Sequence, residues 1–295
     1  MRSAYNIAAI LTTAITLSLT SCVKEDLYNT SHPEYGKITL TTDWSDRAEG
    51  VEVPTSYNIS IGDYSETATE AVHTLNHMFT PGDYRLVVYN PVEGITVNGT
   101  TATVDSATPE SRADSYNYIY GKPSCLFTNV QDITINKDCD YNISTIMEPQ
   151  VRCLELIIEP EGVALSRIES MSGSLSGAAG TLDFAQDIYG APSLVSLSFT
   201  KITEGADEGK WKATVWLLGI AGAEQKLSAQ LNFADNNPAP IIIESDLTEA
   251  LKNFNNDKKE TFVIGSTMEE TSVDGNFSAE IENWKAVSGG DTNAY

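Results

Sequence analysis

Residues 84–104 read YRLVVYNPVEGITVNGTTATV. The run 84–89 follows the turn residues Pro81-Gly82-Asp83 and is rich in Tyr, Leu and Val, the side chains that suit a pleated, half-buried surface. Residues 95–97 and 101–104 then flank Asn98-Gly99, a dipeptide that takes up the positive φ angles a tight hairpin turn needs. Strand, turn, strand, turn and strand within 21 residues leave no room for a helix.

The same grammar extends in both directions. In 38–44, alternation puts Ile38, Leu40, Thr42 and Trp44 on one face, and 57–61 (YNISI) alternates as cleanly. Further strands are expected at 133–135, 141–147, 151–158, 194–200, 211–218, 226–233, 240–244, 261–264 and 277–284. Two segments carry helical features. Asp246 followed by Glu249 is a capping-box pattern opening 247–254. Residues 67–79 place apolar side chains at 68, 71, 72, 75, 78 and 79, which suits helical spacing and in part alternation too, so that segment stays open. The expectation is an all-β chain, two tandem antiparallel β-sandwich domains with one or two short helices. The pattern breaks at Pro149, which divides the body into 37–148 and 149–287, each near the size of a seven-stranded sandwich. Residues 288–295 form a short polar tail.

The 295 residues hold 41 acidic and 18 basic side chains, a formal charge of −23. A surface that negative repels phosphate backbones, so nucleic acid is not an expected partner. No apolar run beyond residue 20 is long enough to cross a bilayer as a helix.

The amino terminus carries an address. Arg2 precedes the thirteen-residue apolar stretch 7–19, diluted by Thr and Ser, which is too short to span a membrane and suits a signal peptide over 1–21. It ends in Leu19-Thr20-Ser21-Cys22, which resembles the lipobox of bacterial lipoproteins. The resemblance implies that the Cys22 thiol receives lipid and that the mature chain begins there. Acyl chains at about 0.8 kcal/mol per buried CH₂ would make such an anchor effectively permanent. Lys24-Glu25-Asp26 resembles the export signal that sends Bacteroidetes lipoproteins to the outer face of the outer membrane. Residues 22–36 lack apolar periodicity and read as a tether.

Catalytic signals are sparse. Three histidines are present, His32, His73 and His77; the last two are four apart, but no HExxH pattern surrounds them. Gly173-Ser174-Leu175-Ser176-Gly177 only superficially resembles a nucleophile elbow, which needs a parallel sheet to seat it. Asp207-Glu208, Asp235-Asn236-Asn237 and residues 253–257 are oxygen-rich loops without the EF-hand spacing, and turn chemistry explains them equally well. No enzyme activity, cofactor or metal is expected. Asp105-Ser106-Ala107 resembles the short O-glycosylation acceptor of Bacteroidetes, at Ser106. Cys125, Cys139 and Cys153 are an odd set without a CxxC, so one disulfide or three thiols both fit. Of the tryptophans, Trp44 and Trp284 end strands, while Trp211 and Trp216 fall on opposite faces of one strand, leaving one of that pair outside as a candidate contact for protein or glycan.

Two internal stretches carry a wider resemblance. Pro81-Gly82-Asp83-Tyr84 is similar to the P-G-x-Y start of a strand in the first, transthyretin-like domain of Bacteroidales type V fimbrillins and fimbrial-anchor lipoproteins. Leu175-Ser176-Gly177-Ala178-Ala179-Gly180 resembles the L-S-G-x-A-G segment of the second domain in anchor-type members. The resemblance implies transthyretin-like sandwiches and a non-catalytic structural or adhesive role in a fimbria. Its partners would be fimbrial subunits, bound by β-strand addition or sheet-edge contact. In polymerising members a protease cuts after an Arg or Lys beyond the first strand, which makes Arg47 the candidate processing residue here; an ordinary turn explains Asp46-Arg47-Ala48 as well. The polar, Gly-containing residues 285–295 make a poor donor strand, which favours an anchor or terminating subunit over a stalk subunit. A surface glycan-binding lipoprotein of a polysaccharide-uptake system is the alternative.

Overall fold

The computed structural model describes residues 34–48, 50–107, 117–273 and 276–287. The signal peptide, Cys22, Lys24, Glu25, Asp26 and the polar tail lie outside the described residues. The described chain is nearly all β. Its first half contains β1 (Gly36–Asp43), β2 (Tyr57–Ile61), β3 (Tyr64–Ala68), β4 (Val72–Phe79), β5 (Gly82–Tyr89), β6 (Ile95–Asn98), β7 (Thr101–Val104), β8 (Tyr118–Ile119), β9 (Phe127–Ile135), β10 (Asp140–Ile146) and β11 (Glu148–Pro149). The second contains β12 (Arg152–Glu161), β13 (Ile168–Asp183), β14 (Ile188–Lys201), β15 (Trp211–Leu217), β16 (Lys226–Phe233), β17 (Ile241–Asp246), the one-turn helix α1 (Thr248–Leu251), β18 (Phe262–Val273) and β19 (Asn276–Ala286).

Two apolar cores organise these strands. In the first, the sheet β10-β1-β4 faces the sheet β11-β9-β5-β2-β3. Ile38 and Leu40 of β1, Ile59 and Ile61 of β2, Leu86 and Val88 of β5 and Phe127 and Ile135 of β9 fill the space between them. The alternation in 38–44 is thus the inward face of β1, and its last member, Trp44, packs edge-on against Tyr57 and Phe127. The second core lies inside one long sheet, β17-β16-β13-β14-β15-β12-β18-β19. That sheet curls until its two end strands meet through side chains: Ser245 Oγ of β17 donates to the Ile281 carbonyl of β19, and Trp284 Nε1 donates to Ser245 Oγ. Most pairs are antiparallel as expected. In each body, however, the first strand lies parallel to a late one, β1 to β10 and β12 to β18. Parallel neighbours require a long connection, so these pairs join opposite ends of each body.

The two cores do not divide the sequence into uninterrupted halves. Ile95, Ala102, Val104, Ile119 and Leu126 belong to the second core. β7 pairs with β13 and β8 with β14, so the described residues 95–107 and 117–126 leave the first body and extend the sheet of the second.

Several local expectations resolve differently in detail. Residues 67–79 are extended, shared between β3 and β4. The helix expected over 247–254 is a single turn: Asp246 Oδ1 accepts from the Thr248 N–H, while Glu249 pairs with Lys252 instead of reaching back to close a capping box. The hairpin at Asn98-Gly99 forms, but Asn98 still pairs with Thr101, so the loop is Gly99-Thr100 with φ of +60° at Gly99. The stretch 168–183, rich in Gly, Ser and Ala, is the longest strand among the described residues. Gly173 shows why small residues stand there: a Cβ at that position would come within 2.3 Å of the Ser228 carbonyl oxygen.

Candidate functional site at the first strand and the seam between the cores

β1 is the middle strand of its sheet. It is bonded on one side to β10 over Lys37–Asp140 through Asp43–Ile146 and on the other to β4. The chain then turns sharply. Trp44 Nε1 donates to Thr42 Oγ1, and Ser45 N–H donates to Asp43 Oδ1. That second bond holds the Asp43 carboxyl below its ordinary pKa. The exposed Arg47 does not extend into solvent. Its Nη1 donates to the Trp44 carbonyl at 2.9 Å and its Nε to the Val51 carbonyl at 3.1 Å. Asp46 pairs with Lys259 Nζ at 2.9 Å, across the seam to the second core.

The seam has its own polar framework. Lys258 Nζ donates to Gln150 Oε1 at 2.7 Å, stands 3.8 Å from Asp187 and lies over the Tyr189 ring. Burial holds its ammonium below the ordinary lysine value, against the pull of Asp187 and Glu148. Asp46, Gln150, Phe184, Asp187, Lys258 and Lys259 line an open cleft of about 440 Å³. Arg152, two residues beyond Gln150, is buried. It donates to the carbonyls of Phe254 and Glu260 and stacks on Phe254 and Phe262, fixing the loop that presents both lysines. Asn90 staples the first body from the other side, donating to the Cys125 carbonyl while its Oδ1 accepts from Phe127 N.

The outer edges of the first body are closed at one side by a clasp between β3 and β4. Glu66 accepts from His73 Nε2 and Asn76 Nδ2, and Tyr64 stacks on His77. Burial pushes the Glu66 carboxyl up, but hydrogen bonds from Tyr64, Asn76 and His73 outweigh it and hold the group below its ordinary value. A carboxyl depressed in the folded state contributes stability above the ordinary carboxylate range and loses it as pH falls through the folded pKa. Wild type will therefore be more stable than Glu66→Gln near about pH 7, with the gap closing toward about pH 3. A gap in urea midpoint that stays constant with pH would refute this role.

The other candidate residues sort plainly. Ser106 is exposed at a bridge to Ile119. Cys125, Cys139 and Cys153 are free thiols, and burial raises Cys153 to about 11. His73 and His77 serve the clasp, and among the described residues no acidic, His and Cys cluster suits a metal ion. Asp207 pairs with Lys210, Asn255 binds both backbone groups of Ile220, and Asp257 accepts from Lys259 N–H, so these loops use their oxygens internally. Trp44 and Trp211 are buried and Trp284 packs on the second core. Trp216 lines an open groove of about 640 Å³ with Val51, Pro54, Asn90, Pro123 and Cys125. No local sequence signal announced the Asp46–Lys259 or Glu66–His73 contacts.

Fold and site together define a two-core, all-β protein whose own first strand completes its first sheet. The chain belongs to the family of Fimbrillin-A associated anchor proteins Mfa1 and Mfa2, whose model matches residues 48–288. Among solved structures, the fimbrial anchor protein Mfa2 from Porphyromonas gingivalis is similar, with a TM-score of 0.55 at 11% identity over 85% of this chain and 97% of that one. A candidate adhesin from Bacteroides ovatus is similar too, with a TM-score of 0.55 at 15% identity over 80% of this chain and 90% of that one. A third, from Bacteroides thetaiotaomicron and described as polysaccharide binding, has a TM-score of 0.54 at 8% identity over 82% and 97%. These likenesses show the fold. No curated protein sequence matches the chain. The family is fimbrial, which puts the protein at the cell surface.

Proposed function

We propose that the protein is a non-catalytic lipoprotein that anchors or terminates a fimbria on the outer face of the outer membrane. In this reading 1–21 is removed, Cys22 carries the lipid, Lys24, Glu25 and Asp26 direct export, and 22–36 is the tether. Two bodies, 37–148 and 149–287, present the partner surface, with 95–107 and 117–126 shared between them, and Ser106 is open to glycosylation.

The observation that carries the reading is the place of β1. The strand that follows the tether sits in the middle of its sheet, with Ile38 and Leu40 fully buried. A chain held by lipid at Cys22 and left intact keeps that place filled by itself and offers subunits its outer edges and faces. Processing after Arg47 would instead detach lipid and strand together and leave a polymerising subunit.

Metabolic labelling with palmitate, protease shaving of intact cells and mass spectrometry of the mature protein test the reading. An acylated Cys22 joined without a break through Arg47, on a chain that shaving removes, is the expected result. A mature chain starting at Ala48, or one without label, overturns it. The glycan-binding alternative rests on the Trp216 groove and would be supported by retention on insoluble glycans that Trp216→Ala abolishes.

A further inference from the structure

We propose that the turn after β1 protects its own arginine: Arg47 is fastened by its side chain to both ends of the loop, and the loop to the second core, so that the 47–48 peptide bond resists trypsin-like proteases in the folded protein. The proposal deepens the anchor reading, on which its cellular relevance rests, by naming what keeps strand and lipid on the chain.

A protease specific for basic residues needs two things from a folded substrate. The basic side chain must leave its surroundings for the enzyme's pocket, and several residues on each side must lie extended, which folded loops reach only by local opening. Arg47 meets neither condition. The Trp44 carbonyl lies three residues upstream and the Val51 carbonyl four residues downstream, and the guanidinium bonds both at once. The backbone repeats the closure, with Arg47 N–H donating to Trp44 O and Val51 N–H to Ala48 O. Upstream, the loop cannot peel back because Trp44 is buried against Tyr57 and Phe127. Its middle is held by Asp46 on Lys259, which belongs to the loop fixed by Arg152. An exposed ion pair alone is worth little. Here it closes the same opening motion that the guanidinium opposes, so releasing either should expose the bond.

The planar guanidinium fork is what spans two carbonyls in different directions; an ammonium is a single point of charge and does not reproduce it. This separates protection from mere sequence preference. Arg47→Lys keeps a basic residue that trypsin accepts, so an unprotected loop would be cut no faster after the change. With protection lost, the folded Arg47→Lys protein will be cut at 47–48 about tenfold faster, the factor expected for losing one charge-assisted hydrogen bond. Lys259→Gln, with Arg47 intact, will be cut several-fold faster at the same bond.

The measurement is limited trypsin digestion of the purified protein, with each peptide followed by mass spectrometry. Cleavage at Arg167–Ile168 serves as the internal reference, so that a general loss of stability cancels. Equal or slower relative cleavage at 47–48 in Arg47→Lys overturns the proposal. So does a difference between the variants that persists at full strength after unfolding in urea. The anchor reading fails by a different observation, the mature amino terminus in cells, so the two failures are distinguishable.

Discussion

A fragment spanning residues 149–288 will not fold by itself, although it contains β12 through β19. The reason is the excursion of 95–107 and 117–126 out of the first body. Ile95, Val104, Ile119 and Leu126, with Ala102, are buried in the second core. Four large apolar side chains at about 1.5–3 kcal/mol each withdraw on the order of 6–12 kcal/mol of burial. That is comparable with the whole stability of a typical domain, about 5–15 kcal/mol. The backbone suffers as well. β13 loses the partners of Thr181, Leu182 and Asp183, and the carbonyls of Asn117 and Gly121 no longer accept from Leu194 and Trp216. The expected result is a fragment without a cooperative urea transition, rescued by joining residues 91–126 through a flexible linker. A cooperative transition in the bare fragment, within a few degrees of the full chain on heating, would show that the second core is self-sufficient.

Removing residues up to 47 will unfold the first body while leaving the second. β1 carries Ile38, Leu40 and the buried Thr42, and Trp44 follows it into the same core. Burial of Ile38, Leu40 and Trp44 contributes on the order of 5–9 kcal/mol, and the loss also leaves β10 and β4 without their shared neighbour. The edges so bared are templates for another strand, and a chain beginning at Ala48 should therefore aggregate or associate unless one is supplied. Circular dichroism and size exclusion of 34–288 against 48–288 provide the check. A monomeric 48–288 with an unchanged thermal midpoint would mean that β1 is dispensable, and the argument from its central place would fail with it. The family match beginning at residue 48 makes the comparison direct, because β1 lies just outside it.

Much of the architecture was legible because alternation is local. In β1, β2, β15 and β16 every second side chain faces a core, and the burial follows the sequence pattern residue by residue. β13 was not legible. Its Gly, Ser and Ala side chains have little preference for extended structure, and they form a strand because β14 and β16 pair with it on both sides. The candidate site divided the same way. Arg47 could be picked out as a basic residue after a strand, but not the fold of its side chain onto Trp44 and Val51. Lys259 is 213 positions from Asp46 in the chain, and nothing near either residue marks the other.

The sequence by itself determined the all-β character, the strong negative charge and the scarcity of catalytic groups, because each follows from side-chain chemistry or from period-two patterning within a few residues. Only the tertiary structure decided that β1 lies between β10 and β4, that Ile95, Ala102, Val104, Ile119 and Leu126 complete the second core, and that a lysine of one body holds the turn of the other. Those are pairings between distant segments, and their free energy comes from surfaces that exist only once both partners are folded.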